Sequence, residues 1–289
     1  MQRDFCLGSE WLYYKIYTGV KTSDYILLKK LQPIISNLQN KKIIQKWFFI
    51  RYKDTEEHIR IRFLVKDNKH LAAVIQAFYP LFEELLEQNL VWKIQTDTYK
   101  RELERYGEKT ITESEFIFWK DSKMILQYLE LKSSFPLQEL PLLFSFYAID
   151  TFLDLFQLSN NDKLLLLNEL QISFNTELET DKEQRKVIDK NYRLLEPQIQ
   201  SVLNGSYNND LNEIFKIVDY KSNEIQETIL TIRNKIEISL HSFLSSHIHM
   251  MINRQYTSKQ RMYELIIYSH LYKYYKTLNY SRSTLVSAV

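Results

Sequence analysis

The sequence predicts an α+β fold: a small, mostly antiparallel sheet in the N-terminal third, packed with a helix-rich C-terminal two thirds. Three observations lead there. Residues 58–63, "HIRIRF", alternate strictly, with Ile59, Ile61 and Phe63 on one parity and His58, Arg60 and Arg62 on the other, which is the period of a strand. From about residue 111 onward, apolar residues recur at three-and-four spacing, which is the period of helices. Only 4 glycines and 5 prolines occur in 289 residues, so the chain favours long helices over tight turns.

Taken in order, "EWLYYKIYTG" (10–19) is aromatic-rich, ends at a glycine and reads as a first strand. Residues 22–40, "TSDYILLKKLQPIISNLQN", open with a Thr or Ser cap and read as a helix. "KWFFIRY" (46–52) and "HIRIRFLV" (58–65) are two strands joined by the polar turn "KDTEE", a hairpin. Residues 68–90 have helical periodicity, with Pro80 expected to kink or break the run. "VWKIQTDTY" (91–99) returns to a strand. After "KRELERYGEK" the texture turns helical to about residue 276, with "NGSYNND" (204–210) as the clearest loop and 224–256 read as one helical run. No internal repeat is visible, so a single domain over 1–289 is expected, with a sheet-containing portion over 1–110 and a helical portion over 111–289.

Composition narrows the function classes. A hydrophobic content of 45% and a charged content of 26% are those of a globular domain. Neither GxGxxG nor GxxxxGK[ST] occurs, so neither a dinucleotide fingerprint nor a P-loop is supported. The net charge is +2 and the lysines are dispersed, which demands no nucleic-acid surface. A single cysteine, Cys6, allows no intrachain disulfide and no CxxC zinc site. The N-terminal residues lack an apolar signal-peptide core, and no apolar run reaches the roughly 18 residues of a membrane span. A cytoplasmic protein is the expectation.

Three clusters hold chemistry-bearing side chains. The first is His58, Arg60 and Arg62 on one strand face. The ordinary reading is a water-facing sheet surface with each arginine paired to a nearby carboxylate. The other is a pair of planar guanidinium forks on a rigid strand, placed to bind a carboxylate or phosphate bidentately. The second is "TYKRELERYG" (98–107), with Arg101, Glu102, Glu104 and Arg105; composition alone favours reading it as an exposed helical turn with internal ion pairs. The third is "SSHIHMMINR" (245–254), where His247 and His249 precede Arg254. Flanking residues are helical, and i,i+2 positions do not share a helix face, so a two-histidine metal pair is not expected. One of these histidines could serve as a general acid or base. No metal site and no cofactor is implied.

In order along the chain, "EWLYYKIYTG…DYIL", "WFFIRYKDTEEHIRIRF", "DTYKRELERYG" and "HMMINR" resemble the C-terminal, glutamate-elimination domain of lantibiotic dehydratases, a domain also found in thiopeptide-type bacteriocin biosynthesis proteins. The resemblance runs from about residue 10 to residue 275. It implies a step in which glutamate is expelled from a glutamylated Ser or Thr of a ribosomally made precursor peptide, leaving dehydroalanine or dehydrobutyrine. It further implies a separate tRNA-dependent protein that attaches the glutamate, no direct nucleic-acid contact, and allows a homodimer. By resemblance, Arg62, Arg105 and His249 match the catalytic positions, with His249 as acid or base and the arginines as clamps. Arg60 and Glu102 match anion-holding or orienting positions, and His58 and Arg254 join them as substrate-binding candidates. The sequence departs from the family where Thr55 follows Asp54 in place of proline and where Glu108 follows Gly107 in place of a second glycine. These departures put loop shape in question more than charge.

Some relatives instead join two dehydroalanines by a formal [4+2] cycloaddition to form a thiopeptide pyridine. That chemistry needs no glutamate clamp, and the retained arginines and histidine favour elimination. A third possibility is a non-catalytic scaffold that takes an extended peptide on an open sheet edge.

Overall fold

The structure is a computed structural model that describes residues 1–207 and 209–286, with the backbone alone for residue 209 and for 281–286. The chain forms two compact units. The first comprises residues 1–130, 234–239 and 253–258; the second comprises 131–233, 240–252 and 259–289.

The first unit holds the sheet. A strand β1 (Asp4–Phe5) is followed by β2 (Trp11–Tyr17), then a continuous helical stretch made of α1 (Val20–Tyr25), a π-helical turn (Ile26–Leu31) and α2 (Gln32–Asn40). The hairpin β3 (Ile44–Lys53) and β4 (Glu57–Val65) comes next, then α3 (Leu71–Glu87), β5 (Lys93–Thr96) and β6 (Tyr99–Lys100). A short α4 (Leu103–Tyr106) leads to the long α5 (Ile111–Leu131). Strands β3, β4, β2 and β5 lie side by side in that order, each pair antiparallel, while β1 and β6 form a separate two-stranded pair. The α+β layout and the antiparallel sheet are as the sequence predicts. The unit's boundary lies beyond residue 110, because α5 and two late segments belong with the sheet.

Local chemistry explains the departures from the expected elements. The first helix starts at Val20 with Gly19 as its N-cap and no side-chain cap. Ser23 lies inside it and donates to the Val20 carbonyl at 2.8 Å. The π turn precedes Pro33, which has no N–H for the preceding turn and whose ring crowds it, so the helix widens there. Pro80 neither breaks nor ends α3. Pro80 and Gln76, whose carbonyl loses its donor, both face solvent, so water can replace the bond. The strand expected over 91–99 divides into β5 and β6, which serve different sheets. At the hairpin, Asp54 Oδ1 accepts from the backbone N–H of Thr55 (2.7 Å) and of Glu56 (3.3 Å). This Asx turn closes the hairpin without a proline.

Register places two residue sets on opposite faces of the sheet. Tyr13 pairs with Arg62, Lys15 with Arg60 and Tyr17 with His58 across β2 and β4, while Phe48 and Tyr52 of β3 oppose Arg62 and His58. The other face carries Tyr14, Ile59, Ile61 and Phe63, and Tyr14 and Phe63 meet Phe78 of α3 at 6.3 and 5.0 Å between ring centroids. Each fully buried side chain of this size contributes about 1.5–3 kcal/mol, which makes the apolar face the adhesive one.

The second unit is helical. It contains α6 (Leu140–Leu155), α7 (Asn160–Glu177) and α8 (Lys182–Leu203), with most of α9 (Asn212–Lys235), α10 (Leu240–Gln255) and α11 (Gln260–Val286). Capping boxes start α7 at Ser159 with Asp162, and α8 at Asp181 with Gln184. Inside, the Lys163 ammonium sits 2.6 Å from both Asp150 and Asp154 and 2.9 Å from the Tyr275 hydroxyl, so a buried charge is fully engaged. The single helical run expected over 224–256 is two helices, interrupted at residues 236–239. The loop expected over 204–210 includes residue 208, which lies outside the described residues.

Candidate active site

The cationic face of the sheet is not a solvated one. His58 and Arg62 are buried, and Arg60 is partly so. Arg62 is 8% exposed. Its guanidinium carbon lies 4.3 Å from the ring centroid of Tyr13, 5.1 Å from Tyr99 and 5.3 Å from Phe48. Its Nε has no hydrogen-bond partner, and no carboxylate among the described residues forms an ion pair with it, Glu102 acting only through longer-range attraction. Burial, with Arg60 adding repulsion, presses the Arg62 pKa downward, while Tyr13 and Tyr99 oppose that shift. The guanidinium still stays charged at any working pH. The result is an aromatic-floored cation with no counter-ion of its own, the opposite of the paired surface arginine that composition alone suggests.

Arg60 is held differently. Its guanidinium stacks 3.4 Å from the Tyr52 ring centroid, and its Nε donates to His58 Nε2 at 3.0 Å. His58 must therefore carry its proton on Nδ1, which faces the Glu56 carbonyl at 2.9 Å. Burial, assisted by the Arg60 charge, lowers the His58 pKa, which keeps the ring neutral and able to accept. So His58 orients Arg60. The same cross-strand register adds two residues that inspection of single strands misses. Lys15 lies opposite Arg60 and pairs with Asp97 at 2.5 Å. Tyr13 lies opposite Arg62; burial raises its phenol pKa, against the pull of Arg62 and Arg60. The alternation of Tyr13, Lys15 and Tyr17 in "WLYYKIY" is the signal that could have found them.

The segment carrying Glu102 and Arg105 is anchored by its neighbour. Arg101 is buried and binds Glu115 of α5 bidentately, Nε to Oε1 at 2.6 Å and Nη2 to Oε2 at 2.8 Å, and the Tyr99 hydroxyl donates to Glu115 at 2.9 Å. Arg101 is thus the structural arginine of the pair. Arg105, with more than half its side chain exposed, meets Glu102 at 3.4 Å. Gly107 ends α4 at φ 75°, and a Cβ there would stand 2.7 Å from Thr110 Oγ1, so the turn requires glycine.

Arg254 is fully buried and is engaged with the sheet edge. Its Nε donates to the Phe49 carbonyl at 2.9 Å, and Nη1 is 3.7 Å from Asp121 of α5. Asn253 completes the edge, accepting from Arg51 N–H at 2.9 Å and donating to the Arg51 carbonyl at 2.8 Å, while Ser122 Oγ accepts from Phe49 N–H at 3.2 Å. These contacts occupy the outward groups of β3 at Phe49 and Arg51, where an added peptide strand would have to bond.

The first unit thus gathers His58, Arg60, Arg62, Glu102, Arg105 and Arg254. His249 stands in the second unit, on α10, where its Nδ1 lies 2.7 Å from Glu264 Oε1. His247 is fully buried beside Phe243 and Phe152, as a packed core histidine is. Among the described residues, no three His, Cys, Asp or Glu side chains cluster as metal ligands, and no helix is long and apolar enough to cross a membrane.

Fold and sequence both find relatives. The structure of the tRNA-dependent lantibiotic dehydratase MibB from Microbispora sp. 107891 superimposes with a TM-score of 0.76 at 18% identity, over 96% of this chain and 29% of that one. The pyridine synthase TbtD from thiomuracin biosynthesis superimposes at 0.61 with 12% identity, over 93% of this chain and 100% of that one. Residues 11–275 match the family model described as lantibiotic biosynthesis dehydratase C-term, and the chain belongs to that family. Among individual relatives, the nisin biosynthesis protein NisB of Lactococcus lactis subsp. lactis is 25% identical over 277 residues, 88% of this chain and 26% of its own length. The subtilin biosynthesis protein SpaB of Bacillus subtilis is 27% identical over 184 residues, 60% of this chain and 17% of its own. The chain therefore spans about a quarter or less of these curated relatives.

Proposed function

We propose that this domain eliminates glutamate from glutamylated Ser or Thr residues of a ribosomally made precursor peptide. The observation that carries the proposal is Arg62, a buried guanidinium on a central strand, with no counter-ion among the described residues. An anion is what such a group lacks, and the leaving glutamate is one. In the reaction the Cα–H bond breaks, the proton passes to the base, and the electron pair is held as an enolate-like carbanion. That pair then forms the second bond of Cα=Cβ as the Cβ–O ester bond breaks, and glutamate departs as a carboxylate. Negative charge passes from the enolate-like Cα centre to the leaving group, so preplaced cations aimed at that path lower the barrier. Arg62 and Arg105 serve as the clamps, Arg60 and Glu102 as anion-holding and orienting groups, and His249 as the group that moves the proton. Arg254, whose Nε donates to the Phe49 carbonyl, braces the edge of β3. A separate tRNA-dependent protein would supply the glutamyl ester.

A pyridine-forming cycloaddition shares the fold but uses no glutamate clamp, so the unpaired cation supports elimination over it. The test uses the purified protein and a synthetic peptide carrying one glutamyl-Ser ester, followed by mass spectrometry. Elimination yields free glutamate and the dehydrated peptide, while Arg62→Ala or Arg105→Ala leaves the ester intact. A wild-type protein that binds the ester without converting it would refute the proposal and favour a scaffold.

A further inference from the structure

A histidine acts as a directional base only when its neutral tautomer is fixed, because just one ring nitrogen then has a free lone pair. Glu264 of α11 is completely buried, whereas the His249 side chain is 28% exposed. Glu264 Oε1 accepts from the Tyr268 hydroxyl at 3.0 Å and faces His249 Nδ1 at 2.7 Å. Its Oε2 accepts from Arg261 Nη1 at 3.1 Å. Arg261 is in turn chelated by Glu177 of α7, with Nε to Oε1 at 2.8 Å and Nη2 to Oε2, and lies over the Phe174 ring at 4.3 Å. Every group facing the carboxylate is thus a donor, drawn from α10 and α11, and the arginine is itself immobilised from α7.

We infer that Glu264 is a positioning residue for His249: its carboxylate takes the Nδ1–H bond, holds the ring and leaves Nε2 as the nitrogen that receives the substrate proton. This rests on the proposed reading of His249 as the proton-moving group. The geometry is that of a buried carboxylate orienting an imidazole, an arrangement whose loss leaves the side chain present but in the wrong tautomer. The surrounding donors matter as much as the pair. With Tyr268 and Arg261 donating to it as well, the buried Glu264 carboxylate is engaged on both oxygens. Sequence reasoning had no access to this pairing, since the two residues lie fifteen positions apart on different helices.

The inference is tested in the whole protein with histidine-selective 15N labelling, His249 being assigned through His249→Gln. The expected result is that the neutral form of His249 carries its proton on Nδ1. In Glu264→Gln the population moves toward the Nε2–H form. With the glutamyl-Ser peptide, Glu264→Gln lowers kcat at least about 10-fold, within the range of general acid–base contributions. KM changes less than twofold and the acidic limb of the pH–rate profile moves to lower pH. A purely structural glutamate would leave both tautomer and limb where they are. A wild-type His249 protonated on Nε2 overturns the inference, and so does a Glu264→Gln protein with unchanged tautomer and pH profile. Should Glu264→Gln fail to fold, the wild-type tautomer decides. Should the wild type show no elimination, the proposed function fails, while the two spectra still decide the pairing.

Discussion

Replacing Arg62 by methionine should separate the demands of folding from those of catalysis. Stripping water from a cation without a partner costs several kcal/mol in a protein interior, even after relaxation. The three rings at 4.3, 5.1 and 5.3 Å return part of that, at about 1 kcal/mol each. Methionine keeps most of the stem's contact with Tyr13, Phe48 and Tyr99 and removes the charge. The two effects nearly cancel, with the residual favouring the variant, so Arg62→Met should be as stable as the wild type or more so by about 1–2 kcal/mol. Elimination should fall by about 10²–10³-fold, the usual cost of removing one group aimed at developing charge.

Urea unfolding measures the first quantity and glutamate release from the glutamyl-Ser peptide the second. A third measurement links them: free glutamate at about 100 times its Kd should raise wild-type stability by about 2.7 kcal/mol and leave Arg62→Met unmoved. Destabilisation of the variant by more than about 3 kcal/mol, with no glutamate effect on the wild type, would make Arg62 a structural cation and refute the reasoning. Undiminished elimination would refute it equally.

Other perturbations should sort by burial and pairing. Arg101→Met leaves Glu115 as an uncompensated buried charge and should destabilise by about 3–5 kcal/mol in urea, whereas Arg105→Ala, at a largely exposed side chain, should shift stability by no more than about 0.5 kcal/mol while slowing elimination. Asn253→Ala orphans the N–H and C=O of Arg51 and should cost about 1–3 kcal/mol for each group left without a partner, read as a lower unfolding midpoint. Burial lowers the His270 pKa to about 4, against a small opposing effect of its bond to the Ile266 carbonyl. The folded state then binds fewer protons than the unfolded one, so this contribution is present above about pH 6.5 and is lost as pH falls toward about 4, by about 3 kcal/mol in all. His270→Leu should flatten that part of the stability–pH curve, and an unchanged slope would place the acid sensitivity elsewhere.

How far the site was legible in the sequence depends on the range of the interaction involved. The hairpin and the cationic parity of β4 are local, set by period-two alternation and a polar turn, and both were readable from "KDTEEHIRIRF" alone. The helix-rich remainder was readable from its spacing, apart from the interruption at 236–239; in the sheet-containing part, the π turn before Pro33 was not. What decided the chemistry was not local. Arg101 and Arg105 sit four residues apart in one short string and look interchangeable, yet Glu115 of α5 claims the first and leaves the second in solvent. Arg254 and Asn253 look like part of a polar motif after a histidine, and instead occupy the open edge of β3 about two hundred positions away. Arg62 differs from all of these in what it lacks. A sequence can show that a strand carries two arginines on one face; only the fold shows that a carboxylate reaches Arg101 and that, among the described residues, none ion-pairs with Arg62. A buried charge that folding has not neutralised is costly, so a carboxylate that reaches it regains part of what folding gave up. That cost is the physical argument for the proposal that the glutamate binds at Arg62 and not at its better-paired neighbours.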